Sequence, residues 1–344
     1  LRRQRQMCIR DSLQEVVAPQ VSEIEGGRRA QVVAEWYAKA EPEERRDMWL
    51  LMCEQFAPDA TRFKSARQRY EAAAGTAEEG QAEISLRRAL VSPRTRLLQR
   101  FSAFPEGMRF LVDLRAEILP LLKADNRLLP LDAELEHLFS TWFDVAFLEL
   151  RRLSWDSPAS LLEKLIKYEA VHDIRSWADL KNRLDSDRRC YGFFHPRLPN
   201  EPLIFVEVAL LDKISSSITP LLDEAAAPVD ITRATTAIFY SISNTQTGLR
   251  GVSFGDSLIK HVVETLTAEF PRLRTFATLS PIPGFRAWLG KHAGAMLDRL
   301  DDKRRSELGR AVGFEPPQAT HFLGALDKAL EPVSYTHLTL PTKR

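Results

Sequence analysis

The sequence predicts an α+β chain: an all-helical N-terminal part, then an α/β domain organised on one strand–loop–helix–strand unit. Three observations predict it. Residues 13–150 contain little glycine and are dominated by Ala, Leu, Glu and Arg, all strong helix formers. Residues 189–209 change texture, with strand-like segments Arg189–Phe194 and Leu203–Ala209 on either side of the proline-rich HPRLPNEP. Residues 235–286 then read as TTAIFYSIS, NTQTGLRGVSFG, DSLIKHVVETLTAEF and PRLRTFATLSPIPGF, which is strand, glycine loop, helix and second strand.

In the helical part, candidate helices are 29–40, 42–56, 60–74, 77–89, 93–103, 106–123 and 130–152. Pro42, Pro58, Pro93 and Pro105 fall between them or in first turns, where the missing N–H is not needed. The last of these helices carries Leu131, Leu135, Leu138, Phe139, Phe143, Phe147 and Leu148 on a broad apolar face. Nothing in this part demands chemistry, and it reads as a bundle for packing and homo-oligomerisation. Asp156-Ser157-Pro158 announces a helix over 159–170, and residues 213–234 read as helix plus loop. Residues 285–299, 303–312 and 318–330 read as further helices.

The strand–loop–helix–strand unit carries the functional expectation. Thr235–Ser243 is β-branched and aromatic, and Asn244 ends it. Gly248, Gly251 and Gly255 punctuate the loop. Asp256 can cap a helix with apolar residues Leu258, Ile259, Val262, Val263 and Leu266 on one face, and Pro271 stops it. Arg274–Leu279 is the second strand, ending at Ser280 and the rigid turn Pro281-Ile282-Pro283-Gly284. The two strands should be parallel with a right-handed crossover, so the loop and Ser280 should share the carboxyl edge where α/β proteins bind ligands. Loop amides before a helix N-terminus suit a pyrophosphate, and Arg250 adds a charge.

Composition bounds the function. The 344 residues are 44% apolar and 28% charged, ordinary for a globular chain of two or three domains. A net charge of +1 gives no reason to expect nucleic acid or an anionic membrane surface. No apolar run approaches a membrane span. Three cysteines, Cys8, Cys53 and Cys190, with no CxxC pair, argue against a disulfide framework or a cysteine metal site and fit a reducing cytoplasm. His172 and His195 are isolated, so no metal is expected. Cys190 follows two arginines that could lower its pKa, but reads first as a half-buried strand cysteine.

The segments EAVHDI, RRCYGFFHPRLPNEPLIFVEVAL, TAIFYSISNTQTGLRGVSFGDSLIKHVV and FATLSPIPGFRAWL resemble malonyl-CoA decarboxylase, over about residues 13–330 and most strongly over 155–290. The resemblance implies a helical domain at 13–152 and a catalytic domain at 153–332, similar to the GCN5-related N-acetyltransferase fold but incomplete. It implies conversion of malonyl-CoA to acetyl-CoA and carbon dioxide, with no cofactor beyond the CoA thioester itself. It also implies a CoA diphosphate loop formed by Arg250, Gly251, Val252, Ser253, Phe254, Gly255 and Asp256, and a catalytic Ser280. Residues 1–12 and 333–344 resemble translated adapter sequence and are expected to lack order.

Two positions depart from the family. Some members carry glutamate where Ser253 stands, and the family's histidine in an NPxxxFH context has no counterpart; neither His321 nor His337 has that context. The expectation is a chain that stops before its catalytic domain ends and is inactive as it stands. Losing carbon dioxide from malonyl-CoA leaves an enolate. Amides at a strand edge can stabilise its oxygen, Ser280 can hold the departing carboxylate, and the histidine would protonate C2. No GxSxG elbow surrounds Ser280, so a nucleophile is not expected. The alternatives are an acyl-CoA-dependent N-acetyltransferase and a non-catalytic acyl-CoA-binding module.

Overall fold

The computed structural model describes residues 2–252, 257–282, 284–312 and 335–339. The chain divides into two compact units. One is Leu1–Leu148 with His195–Pro199 and Gln246–Gly255; the other is Glu149–Phe194, Asn200–Thr245 and Asp256–Arg344. The first therefore takes in part of the glycine loop, which the sequence assigned to the second.

The first unit is built from α1 (Arg2–Val16), α2 (Glu23–Lys39), α3 (Pro42–Gln55), α4 (Ala60–Ala73), α5 (Glu79–Leu90), α6 (Pro93–Phe101), α7 (Gly107–Ile118) and α8 (Leu129–Trp142). Local chemistry starts several of them. Ser22, Asp59 and Ser92 accept the N–H groups of Glu25, Arg62 and Thr95, and a Glu41–Glu44 capping box precedes α3. Leu97, Leu98, Phe101, Leu111, Leu114, Leu131, Leu135 and Phe139 are fully buried, each worth about 1.5–3 kcal/mol of transfer free energy.

Three expectations are corrected here. Helix α2 begins at Glu23 rather than 29, because Gly26 and Gly27 do not break it. They let α6 and the residues after it approach, with Arg100 Cδ and the Ala103 Cβ standing 2.9 and 3.1 Å from where a Cβ would be. The helix expected over 130–152 ends at Trp142. Asp144 accepts the Ala146 N–H at 2.8 Å to start a 3-10 turn, and Glu149–Leu153 is then a strand. Finally, of residues 1–12, expected to lack order, residues 2–12 lie in α1, whose later residues Leu13 and Val16 are fully buried.

The second unit contains β1 (Glu149–Leu153), α9 (Ala159–Tyr168), α10 (Trp177–Arg183), β2 (Arg188–His195), β3 (Leu198–Leu211), α11 (Thr219–Leu222), β4 (Thr236–Asn244), α12 (Ser257–Glu269), β5 (Thr275–Pro281), α13 (Phe285–Leu297), α14 (Asp302–Val312) and β6 (Tyr335–Thr339). The ends of β2 and β3 at His195 and Leu198–Pro199 belong to the first unit. Among the described residues the strands form one six-stranded sheet in sequence order. β1 and β2, β3 and β4, and β5 and β6 run antiparallel; β4 and β5 are parallel, as expected. β6 lies in the segment expected to lack order, so that expectation is corrected for Tyr335–Thr339. Residues 213–234 contain only the four-residue α11 and a 3-10 turn, and the helix expected over 318–330 lies outside the described residues.

β2 and the middle of β3 are buried on both faces, which explains their continuous apolar spelling. Leu162, Leu165 and Leu180 of α9 and α10 form one core with Leu153, Cys190 and Phe205. Ile218 and Leu221 form another with Ala209, Ile238, Tyr240, Ala277 and Leu279. Leu258, Val262 and Leu266 of α12 are buried at one-turn spacing, the face the sequence indicated.

Candidate functional site

Two places carry the sequence-predicted site residues, one in each unit. In the second unit the parallel ladder between β4 and β5 covers only Thr236–Phe239 and Thr275–Thr278. Both strands run on, β4 to Asn244 and β5 to Pro281. Beyond the ladder each strand stays paired on its outer side, β4 with β3 as far as Ile204↔Asn244 and β5 with β6 through Ser280↔Thr336. The parallel ladder is therefore not continued between Tyr240–Asn244 and Leu279–Pro281, and the two strands part there while each stays paired on its other side. Ser280 sits on this stretch and is half-buried.

A bulge lies where the opening begins. Val208 faces Phe239 and Glu207 faces Ser241, so Tyr240 is the extra residue in β4. A bulge kinks its strand and turns two consecutive side chains towards one face. Tyr240 packs with Ala209 and Ala277, while the Ser241 hydroxyl donates to Glu169 Oε1 at 2.7 Å.

In the first unit, Gln246–Val252 follows β4. Thr247–Leu249 forms a 3-10 turn, and Gly248 lies against α7 so closely that a Cβ there would be 1.9 Å from the Val112 carbonyl oxygen. Only glycine fits. Arg115 of α7, 1% exposed, donates to the carbonyls of Gly248 at 2.9 Å and Arg250 at 2.8 Å. Its remaining bonds reach Asp132 at 2.8 Å and Glu136 at 3.2 Å. Arg109 donates to Gln246 Oε1 at 2.7 Å. These bonds fasten loop carbonyls and leave Arg250 exposed; Gly251 takes φ +87° and Val252 is buried. Ser253, Phe254, Gly255 and Asp256 lie outside the described residues.

Sequence reasoning missed Arg115, although a signal existed. It stands at helical spacing from Met108, Leu111 and Val112, a charge on an apolar stripe. It also missed a buried polar cluster in the second unit. Glu169 accepts four hydrogen bonds, from Val171 N (2.9 Å), His172 N (2.9 Å), Ser241 Oγ (2.7 Å) and Ser243 Oγ (3.0 Å). Arg183 forks onto Asp179 at 2.8 and 3.3 Å and touches Glu207 Oε2 at 3.2 Å. Glu207 is wholly buried, and burial, with Glu169 adding to it, pushes its carboxyl up to about 8.

The tempting single residues fall into place. His172 is buried beside Glu169, and burial lowers its pKa. His195 packs its ring on Phe143 at 4.9 Å and accepts the Arg197 N–H at 3.2 Å. Among the described residues no group of three His, Cys, Asp or Glu could hold a metal. Cys190 is fully rather than half buried, and burial pushes its thiol up. The adjacent arginines do not oppose this because they are engaged elsewhere, Arg188 with Asp187 at 2.6 Å and Arg189 with Glu269 at 2.7 Å. Among the described residues no helix is long and apolar enough to cross a membrane.

The second unit is an α+β domain with a mixed sheet whose parallel β4–β5 ladder ends short of the strands' carboxyl ends, with the glycine loop following β4 in sequence. Comparison with known proteins narrows this to a family. The chain superposes on the crystal structure of malonyl-CoA decarboxylase from Agrobacterium vitis with a TM-score of 0.79 at 36% identity, covering 94% of this chain and 78% of that one. For the same enzyme from Rhodopseudomonas palustris the TM-score is 0.76 at 40% identity, covering 93% and 76%. Residues 146–340 match the malonyl-CoA decarboxylase C-terminal domain, and residues 56–143 match the N-terminal domain. The chain belongs to the malonyl-CoA decarboxylase family. It is 42% identical over 228 residues to the mitochondrial malonyl-CoA decarboxylase of Anser anser anser, and 43% identical over 215 residues to that of Mus musculus. These alignments cover 64% and 61% of this chain but only 45% and 44% of the relatives, so the chain spans somewhat under half of their length.

Proposed function

We propose that this chain handles malonyl-CoA, and that in the whole protein it serves the loss of carbon dioxide to give acetyl-CoA. The observation that carries the reading is the β4–β5 ladder ending at Phe239 and Thr278 with Ser280 just beyond it. A parallel pair that parts towards its carboxyl ends is what similarity to an acetyltransferase-like fold would imply, and the end of the ladder and the bulge at Tyr240 support that reading.

In the reaction the bond between C2 and the carboxylate carbon breaks, its electron pair stays on C2 as an enolate shared with the thioester oxygen, and a proton then adds to C2. Backbone N–H groups at the opened edge are suited to the enolate oxygen, since a fixed donor in a dry site is worth several kcal/mol to a developing anion. Ser280 Oγ donates to the departing carboxylate and holds it out of the thioester plane. The segment Arg250–Asp256 is the proposed diphosphate loop. Arg115 presets its start by pinning the carbonyl of Arg250 and that of Gly248 just before it, which favours amides directed outward. The C2 proton donor implied by the family is the histidine whose motif this sequence lacks, so slow turnover is expected of this chain alone. The helical unit is the proposed oligomerisation element, which light scattering of the purified chain would test. The three free cysteines suit a reducing compartment such as the cytoplasm.

Acetyl-CoA titrated into the chain tests the binding step, and carbon dioxide release from malonyl-CoA tests the chemistry. Acetyl transfer to an amine without carbon dioxide release would favour the acetyltransferase alternative. Acetyl-CoA binding with neither reaction would favour a binding module.

A further inference from the structure

The cluster beneath the β4 bulge has more negative groups than positive ones. Glu169 follows α9, Asp179 and Arg183 lie on α10, and Glu207 lies on β3 opposite Ser241. All four are buried. His172 from the α9–α10 segment, Cys190 of β2, and Tyr240, Ser241 and Ser243 of β4 complete the shell, and the Arg188–Asp187 pair stands beside it at 2.6 Å. That internally neutral pair adds no net charge. Three carboxylates thus face one guanidinium, which would leave two net negative charges in a dry interior if every acid were ionised.

The hydrogen bonds say which acid is worst served as an anion. Glu169 accepts from two backbone N–H groups and two hydroxyls. The Asp179 carboxylate accepts both arms of the Arg183 fork and the backbone N–H of Arg175 at 3.1 Å, while its own backbone N–H donates to the Ser176 cap hydroxyl at 3.0 Å. Glu207 has a single contact, Arg183 Nη1 at 3.2 Å on Oε2, while its Oε1 meets no donor or acceptor among the described protein groups. A bare anionic oxygen in an apolar interior is far costlier than a neutral acid.

We propose that Glu207 is held as a neutral carboxylic acid, and that its proton sets the β4 bulge by keeping α10, Glu169 and Ser241 drawn together on one face of β3 and β4. Glu207 touches no ligand in this account. It is a positioning residue for the opened edge Tyr240–Asn244, and the inference goes beyond the thioester reading without depending on it. Neighbouring charge and burial agree with the geometry, moving the ionisation of Glu207 from 4.5 to about 8.

The direction of the pH effect follows. The folded acid holds its proton more tightly than the exposed acid does. The stabilisation is therefore complete below about pH 4.5, declines as the pH rises towards about 8, and does not change further above that.

The test uses the full chain and Glu207→Gln, which keeps the shape of the neutral acid and cannot ionise. Amide exchange in Tyr240–Asn244 is followed from about pH 5.5 to about 8.5 and corrected for the intrinsic hydroxide dependence. In the native chain the opening of this segment should rise by up to about tenfold per pH unit and level off near pH 8, while in Glu207→Gln it should be flat. A native chain without the slope, or a glutamine variant with the same slope, overturns the proposal. If the variant does not fold, infrared difference spectra of the native chain carrying 13C-labelled glutamate decide. A carboxylic-acid band present at neutral pH and lost on passing pH 8 supports the protonated acid, and its absence at neutral pH overturns it.

Discussion

Arg115 in the helical unit and Arg183 in the sheet unit are both 1% exposed, and they solve the same problem differently. Arg115 meets a partly buried carboxylate, Asp132, a half-exposed one, Glu136, and two loop carbonyls. Its charge is matched with no proton required. Arg183 meets Asp179 and Glu207, with Glu169 close by, and its surroundings hold more acid than one guanidinium can balance. The first arrangement fixes a loop without a buried proton. The second fixes a bulge only while a proton stays in place. A buried ion pair therefore specifies geometry in both units but makes it conditional in one.

Substitutions sharpen this contrast, the largest effect first. Arg183→Met should remove the guanidinium that faces three buried acids and lower unfolding stability at neutral pH by about 3–5 kcal/mol in denaturant titration. The loss should shrink at acid pH, where protonation relieves the stranded carboxylates; a loss that does not vary with pH would break the comparison. Arg115→Met leaves two carbonyls and Asp132 without their donor, and about 3 kcal/mol should be lost. That loss should fall in the helical unit and come with weaker acetyl-CoA binding, measurable by calorimetry. Unchanged affinity in a folded Arg115→Met would remove the loop from the binding account.

Ser280→Ala, placed in a catalytically complete chain, should lower the turnover number by roughly 10²-fold, the scale of one lost transition-state donor. Acetyl-CoA affinity should stay near that of the parent, because the product has no carboxylate for the hydroxyl to hold. Near-normal carbon dioxide release would reject the role. The smallest effect expected is at Gly251, whose φ of +87° disfavours any side chain. Gly251→Ala should cost about 1–2 kcal/mol, read as a lowered denaturation midpoint.

What could be read from the sequence was local. Thr236–Asn244, Ser257–Glu269 and Thr275–Pro281 fall close to their predicted bounds, because β-branched spelling, helical spacing and a stopping Pro271 are all near-neighbour signals. β1 was hidden because Leu131–Leu148 carries an apolar face that reads as one long helix, and only Asp144 capping a 3-10 turn interrupts it. Helix α10 is seven residues long, too short for its periodicity to register. The buried cluster was invisible as a cluster, since α9, α10, β3 and β4 assemble it from distant segments. Its one local trace was Glu207 inside PLIFVEVAL, a charge in an otherwise apolar strand. Arg115 left the same kind of trace on α7. In both units a lone charge on an apolar face marked a position that shapes the candidate site.

A single hydrogen-exchange series on the native chain tests the contrast most directly. Opening is followed against pH for Tyr240–Asn244 and, in the same samples, for Thr247–Val252. The account predicts a rise with pH up to about 8 in the first segment and a flat profile in the second, after correction for intrinsic rates. Equal slopes in the two segments, or a slope confined to Thr247–Val252, would contradict it.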